Sequence, residues 1–229
     1  MTDDDCLPSS CGTQETECIL NDQTVRELLT KEKAAKVLSY ERGESIFEAG
    51  KPIVGFYIVC KGAVREASNN NGEIITLSLY KRGNIITGDA FFRGVEWHKT
   101  TAKSVFGSKI VFLQREIFPH LMRIAGSKVG KKLARNMRHL RQRLELSPCS
   151  VLEKTAYWLT RLSQGLAHTF RITNKVLSDI VGCSPVTMSR ELGKLIDEGL
   201  IDKDGSEIAI LENDKLRKMA SCGRALYPN

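Results

Sequence analysis

The sequence predicts an α+β protein in three parts: an all-β module, one long helix, and a small helical domain that ends in a β-hairpin. Three observations carry this. Over residues 39–113 short runs of β-branched and aromatic residues alternate with glycines, as in VLSYERGESIFEAG and GFYIVCKGAVREAS. Over residues 115–146 the apolar spacing changes to threes and fours, the period of a helix. Beyond Ser150 two short helical patterns meet at Gly182-Cys183-Ser184, and LIDKDGSEIAIL follows them.

Residues 1–20 are polar, with Pro8 and Gly12, and read as a flexible segment. Residues 21–38 read as a helix, because Val25, Leu28 and Leu29 recur at helical spacing. The β module follows, with roughly eight short strands. Its NNNG stretch at 69–72 is a strong hairpin signal, since Asn and Gly tolerate positive φ. A barrel, a roll and a sandwich all suit such a pattern. Ile117, Leu121 and Ile124 mark a short helix, and Gly126-Ser127 allows a bend. Leu133, Met137, Leu140 and Leu144 then step by four, three and four, an a/d-type seam on an otherwise basic helix. Such a seam suits a second copy of itself, and Pro148 stops the helix. This gives a segmentation into 1–20, a β module at 21–126, a dimerisation helix at 127–147 and a terminal domain at 148–229.

In the terminal domain Leu152, Ala156, Leu159 and Leu162 line one helix face. Phe170, Arg171 and Ile172 read as a short strand. Thr173 is a good N-cap for a helix over 174–181. Gly182 makes the turn, Ser184 caps the next helix, and Pro185 takes its first position, where a missing N–H costs nothing. That helix should end at Gly199. The final hairpin turns at Asp204-Gly205.

The chain has 229 residues, 41% of them hydrophobic and 27% charged, with a net charge of +7. This fits an ordinary globular protein with a polyanionic partner. No apolar run reaches 18 residues, so no membrane span is expected. The acidic start MTDDDCLPSS lacks the features of a signal peptide, which predicts a cytoplasmic protein. Positive charge is concentrated from the middle of the chain onward: residues 128–143 carry seven Lys and Arg and no acid. A catalytic metal site in the β module would need a His/Glu cluster on adjacent strands. Of His98, His120, His139 and His168, only His98 lies there, so no enzyme and no catalytic residue is expected.

A helix-turn-helix that reads DNA needs a tight turn and polar side chains on the first turns of its second helix. Val176, Leu177, Ile180, Val181, Met188, Leu192 and Leu195 would face inward. Ser184, Thr187, Ser189, Arg190 and Lys194 would face out. Arg190 can give two parallel hydrogen bonds to guanine O6 and N7, worth ~1–3 kcal/mol of discrimination. Thr173, Asn174 and Ser184 suit phosphate contacts, which position a protein without reading sequence.

A glycine-punctuated β module, a long seam-bearing helix and a winged helix-turn-helix, in that order, resemble the CRP/FNR superfamily of bacterial transcription regulators. The resemblance covers about residues 19–220. It is carried most specifically by IVGCSPVTMSRELGKLIDEGLI, which is similar to the family pattern I-x-x-x-x-G-x-[ST]-x-E-T-[VI]-[SG]-R. It implies a cyclic-nucleotide-binding-like β-roll, a homodimer, double-stranded DNA as ligand and RNA polymerase as a further partner, with no membrane. The DNA-facing set becomes Ser184, Pro185, Val186, Thr187, Ser189 and Arg190. Val186 stands where the family carries Glu. Valine cannot hydrogen-bond a base but can meet a thymine methyl, so the base preference there should differ.

The resemblance also frames the signal. Members that bind cyclic AMP hold its phosphate with a Gly-Glu pair and an Arg-Ser or Arg-Thr pair. The matching residues here are Gly88, Asp89, Lys99 and Thr100. Lysine lacks the fork that grips a phosphate, so cyclic AMP is not the expected effector. The FNR-type members ligate an iron–sulfur cluster through N-terminal cysteines and one more. Of seven cysteines, Cys6, Cys11 and Cys18 crowd the first 18 residues. They imply a cluster site, with Cys60 or an aspartate as fourth ligand, since Val111 stands near the family's fourth cysteine. A dithiol switch, haem on His98 and a small organic effector in the roll stay open as other inputs. A ligand-binding module with no DNA role is the alternative of another class.

Overall fold

The computed structural model describes residues 18–70, 73–87, 90, 93–146, 148–163 and 169–220. The chain divides into two compact units, residues 1–68 with 77–140, and residues 69–76 with 141–229.

The first unit is built on two four-stranded sheets. One has the order β1-β8-β3-β6: β1 (Ala35–Tyr40), β8 (Ser108–Gln114), β3 (Gly55–Lys61) and β6 (Ile85–Ile86). The other has the order β2-β7-β4-β5: β2 (Ser45–Phe47), β7 (Thr101–Ser104), β4 (Ala63–Asn70) and β5 (Glu73–Lys81). The eight expected strands are therefore present. Strand β3 is buried from Gly55 to Cys60 because both its faces are covered. Tyr57 and Val59 join Phe47, Val64, Tyr80, Ala102 and Ile110 in the core between the sheets. Phe56, Ile58 and Cys60 face a second core with Val25, Leu29, Ile117, Leu121 and Val129. The two periods of strand and helix meet in that second core.

The helix expected over 21–38 is shorter. Helix α1 spans Gln23–Lys31, capped by the Asp22 side chain accepting from the Thr24 N–H. Lys33 then takes a positive φ of 48°, and Ala35–Tyr40 pair with β8, from Ala35 opposite Leu113 to Tyr40 opposite Ser108. Val37 and Leu38 fit a helical count from Leu29, but ladder pairing with β8 outweighs local spacing.

Helix α2 (Phe118–Glu145) includes both helical segments read from the sequence. Ala125 departs from helical dihedrals (φ −133°, ψ 17°), which kinks α2 immediately before the predicted bend at Gly126. Leu133 packs against the helix-facing core of the roll. The side chains of Met137, Leu140 and Leu144, the rest of the predicted seam, lie outside the described residues.

The second unit holds α3 (Val151–Ser163), β9 (Thr169–Arg171), α4 (Asn174–Val181), α5 (Pro185–Asp197), β10 (Ile201–Asp204), β11 (Glu207–Ile210) and α6 (Asn213–Met219). The hairpin expected as a two-stranded wing is the larger part of a three-stranded sheet, order β10-β11-β9. Glu207 pairs with Arg171 across it. Helix α6 gave no sequence signal: it is seven residues long, with Leu216 its buried residue.

Candidate nucleic-acid interface

The helix-turn-helix forms as its residues dictate. The Thr173 hydroxyl accepts the Val176 N–H at 3.3 Å and starts α4. Gly182 ends α4 in the left-handed region (φ 84°), a conformation that costs a glycine little and other residues more. The N–H groups of Gly182 and Cys183 both donate to the Ser178 carbonyl. Ser184 then caps α5: its Oγ accepts the Thr187 N–H at 3.0 Å and lies 2.9 Å from the Thr187 hydroxyl. Leu177, Ile180, Val181, Met188, Leu192 and Leu195 are buried, as the inward set requires. Val176 is half-buried at the edge of that set.

The outward set shares one face. Ser184, Pro185, Val186, Ser189, Arg190 and Lys194 are exposed, Val186 by 82%. Thr187 is half-buried and hydrogen-bonded to Ser184, so its part is to stiffen the first turn of α5. Thr173 and Asn174 are half-buried at the N-terminus of α4, where free N–H groups favour a phosphate.

Glu191 escaped the sequence reading. It is on α5 but only 4% exposed. Its carboxylate accepts Lys194 Nζ on both oxygens, at 3.0 and 2.9 Å, and Arg190 Nε at 3.3 Å. Both cations assigned to DNA are therefore tied to one acid. Cys183, in the turn, has its thiol pushed above the ordinary range by burial and, second, by the Glu191 charge, while Lys154 opposes this. A protonated thiol is a weak nucleophile, so this cysteine is a packed turn residue.

The roll site differs from its expected form. Gly88 and Asp89 lie outside the described residues, and Lys99 is exposed. Thr100 is committed elsewhere: its hydroxyl donates to Glu66 at 2.5 Å, and the Tyr80 hydroxyl donates to the other Glu66 oxygen at 2.6 Å. Glu66 and Tyr80 were missed. The signal was present in the alternation of β4, where Glu66 shares a face with buried Val64. His98, named above as a possible haem ligand, is buried. Its ring stacks on Phe47 at 3.8 Å and 12°, and burial pushes its pKa down to about 4. It lines an open cavity of about 370 Å³ with Phe47, Tyr57, Lys51 and Glu48.

Of the thiols named for a cluster, Cys6 and Cys11 lie outside the described residues. Cys18 and Cys60 are reduced thiols, 6% and 8% exposed, and belong to the same buried core as Val111. Among the described residues no three His, Cys, Asp or Glu side chains converge as metal ligands. Cys149, ahead of α3, is disulfide-bonded. No helix among the described residues is long and apolar enough to cross a membrane.

Residues 37–124 match the model of the cyclic nucleotide-binding domain, and residues 153–219 that of the Crp-like helix-turn-helix domain. The chain is 28% identical over 187 residues to the cyclic AMP receptor protein of Thermus thermophilus, covering 79% of this chain and 86% of the relative. It is 24% identical over 193 residues to the global nitrogen regulator of Synechococcus elongatus, covering 77% and 86%. Its fold is similar to that of FixK2 from Bradyrhizobium japonicum, with a TM-score of 0.70 at 19% identity over 81% of this chain and 96% of that one.

Proposed function

The chain belongs to the CRP/FNR superfamily of DNA-binding transcription regulators, and on that premise we propose that it works as a homodimer on a two-fold symmetric DNA site, switched by its thiols. The observation that carries the DNA contact is the single exposed face of Ser184, Val186, Ser189, Arg190 and Lys194 on a capped helix. Arg190 reads guanine, Val186 meets a thymine methyl, and Thr173, Asn174 and Ser184 hold phosphates. Two copies meet along Leu133, Met137, Leu140 and Leu144. Their α5 helices then reach half-sites about one helical turn apart. Bound there, the dimer acts on RNA polymerase.

The input runs through Cys6, Cys11 and Cys18, with Cys60 as the fourth thiol. The support is that Cys18 and Cys60 belong to one buried core, next to the long helix that carries the seam. Held by these four thiols, an iron–sulfur cluster would supply a centre that oxygen destroys. A cyclic nucleotide is disfavoured, because Glu66 already holds the Thr100 hydroxyl that would meet its phosphate. An uncharged or cationic organic effector in the roll is the second reading, favoured by that same carboxylate.

Two measurements test this. The full-length protein should select a palindromic duplex from a randomised pool and bind it with a steep salt dependence. Failure to select any duplex refutes the DNA reading. Purified without oxygen, the protein should carry near-stoichiometric iron and sulfide and bleach in air. A colourless, iron-free protein removes the cluster and leaves the roll effector.

A further inference from the structure

We propose that Glu191 positions both DNA-facing cations of α5, fixing the guanidinium of Arg190 for base reading and withholding the charge of Lys194 from the phosphates. This rests on reading α5 as the groove helix. A carboxylate that is only 4% exposed must be held by charged donors, because an unpaired buried charge is strongly unfavourable. Glu191 finds them in Lys194 Nζ, at 2.9 and 3.0 Å, and in Arg190 Nε, at 3.3 Å. The two cationic side chains stay 49% and 69% exposed, against 5% for the acid. The acid is therefore the fixed member of the trio, and the cations are arranged around it.

The consequences for the two cations differ. Arg190 spends Nε on Glu191 and keeps both terminal nitrogens, the pair that can meet guanine O6 and N7 together. A guanidinium anchored at Nε has already lost part of its rotamer freedom, so less is lost when DNA binds. Lys194 is different. With its ammonium on both carboxylate oxygens it is locally neutralised, so it releases fewer counterions than a free lysine at the same place. One buried acid thus sharpens base reading and lowers the electrostatic, sequence-independent part of binding. Neither effect needs Glu191 to touch DNA, which makes it a positioning residue.

The test uses the full-length protein and a fluorescent duplex that the wild type selects from a randomised pool. Affinity is measured on that duplex, and on its single base-pair variants, across a salt series. Arg190→Ala identifies the base pair that Arg190 reads. Glu191→Gln and Glu191→Leu should then lose about tenfold of the preference at that same pair and leave the other positions unchanged. Their salt slopes should steepen by about one as Lys194 is released to a phosphate. Thermal melts separate this from loss of fold. Should Glu191→Gln melt early, Glu191→Leu replaces the buried charge with an apolar group and keeps the domain intact. Full discrimination at the Arg190 pair in a well-folded Glu191 variant, with the wild-type slope, overturns the proposal. A wild-type protein that selects no duplex overturns the DNA reading itself.

Discussion

On our proposed reading Glu66 keeps a cyclic phosphate out of the roll, and the size of the expected effect follows from the geometry. Thr100 Oγ1 lies 2.5 Å from Glu66 Oε1. A phosphate oxygen that takes this hydroxyl as its donor sits within hydrogen-bond reach of the same Oγ1, which brings the phosphate charge to roughly 5 Å from the carboxylate. At an effective dielectric of ~20, two like charges at that distance repel by about 3 kcal/mol, or roughly a hundredfold in affinity. Thr100 must in addition break its bond to Glu66. The wild type should therefore show no cyclic AMP binding at millimolar ligand by calorimetry. Glu66→Gln keeps the shape and removes the charge, and Glu66→Val also frees the hydroxyl. Both should bring binding into the measurable range, Val more than Gln. Micromolar affinity in the wild type refutes the reasoning. So does a folded Glu66→Gln protein that still fails to bind, since charge would then not be what excludes the nucleotide.

Three further outcomes are expected. Ser184→Ala removes the cap of α5, whose Oγ accepts the Thr187 N–H at 3.0 Å. It should cost about 1 kcal/mol and lower the melting temperature of the DNA-binding unit by a few degrees. Val186→Ala should leave stability unchanged, since Val186 is 82% exposed. It should weaken the preference for thymine at one position by roughly fivefold, read on single-substitution duplexes. The pKa of His98 falls to about 4 in the folded state, from 6.5 in the unfolded chain. Between these values the unfolded chain binds the proton that the folded one refuses. Stability should therefore fall as pH drops from 6.5 to about 4, by roughly 2–3 kcal/mol, and level off below. His98→Phe should flatten that part of a denaturant-midpoint against pH curve. An unchanged slope in the variant assigns the acid sensitivity elsewhere.

Much of the DNA-binding unit was legible because its turns leave local chemical marks. Thr173, Gly182, Ser184 and Pro185 each do one job that few residues do as well, and the structure places them at the cap, the turn, the cap and the first helical position. The roll strands were legible from glycine spacing and β-branched runs. What failed was decided at a distance. The segment after Lys31 is a strand because β8 lies beside it, and no count from Leu29 reveals a partner 70-odd residues away. His98 is buried because it stacks on Phe47, some fifty positions earlier.

The residues missed at the two sites share a cause. Glu66 and Glu191 are acids, and an acid in a periodic pattern reads as part of a solvated face. Each is instead drawn in by hydroxyl or cationic donors from its neighbours: Thr100 and Tyr80 for Glu66, Lys194 and Arg190 for Glu191. Desolvating a carboxylate costs free energy that a Val or Leu at the same place would not. Stability alone therefore argues against buried Glu191, and less strongly against half-buried Glu66, and we read both as serving selectivity. We read Glu66 as closing the roll to a phosphate, and Glu191 as fixing Arg190 for a base and keeping Lys194 from the phosphates. A double variant makes this separable. If the two acids act in different units, Glu66→Val and Glu191→Leu should combine additively in stability, while the first alone alters nucleotide binding and the second alone alters base preference. A departure from additivity well beyond ~0.5 kcal/mol would mean that the two sites are coupled, and the separate assignment would fail.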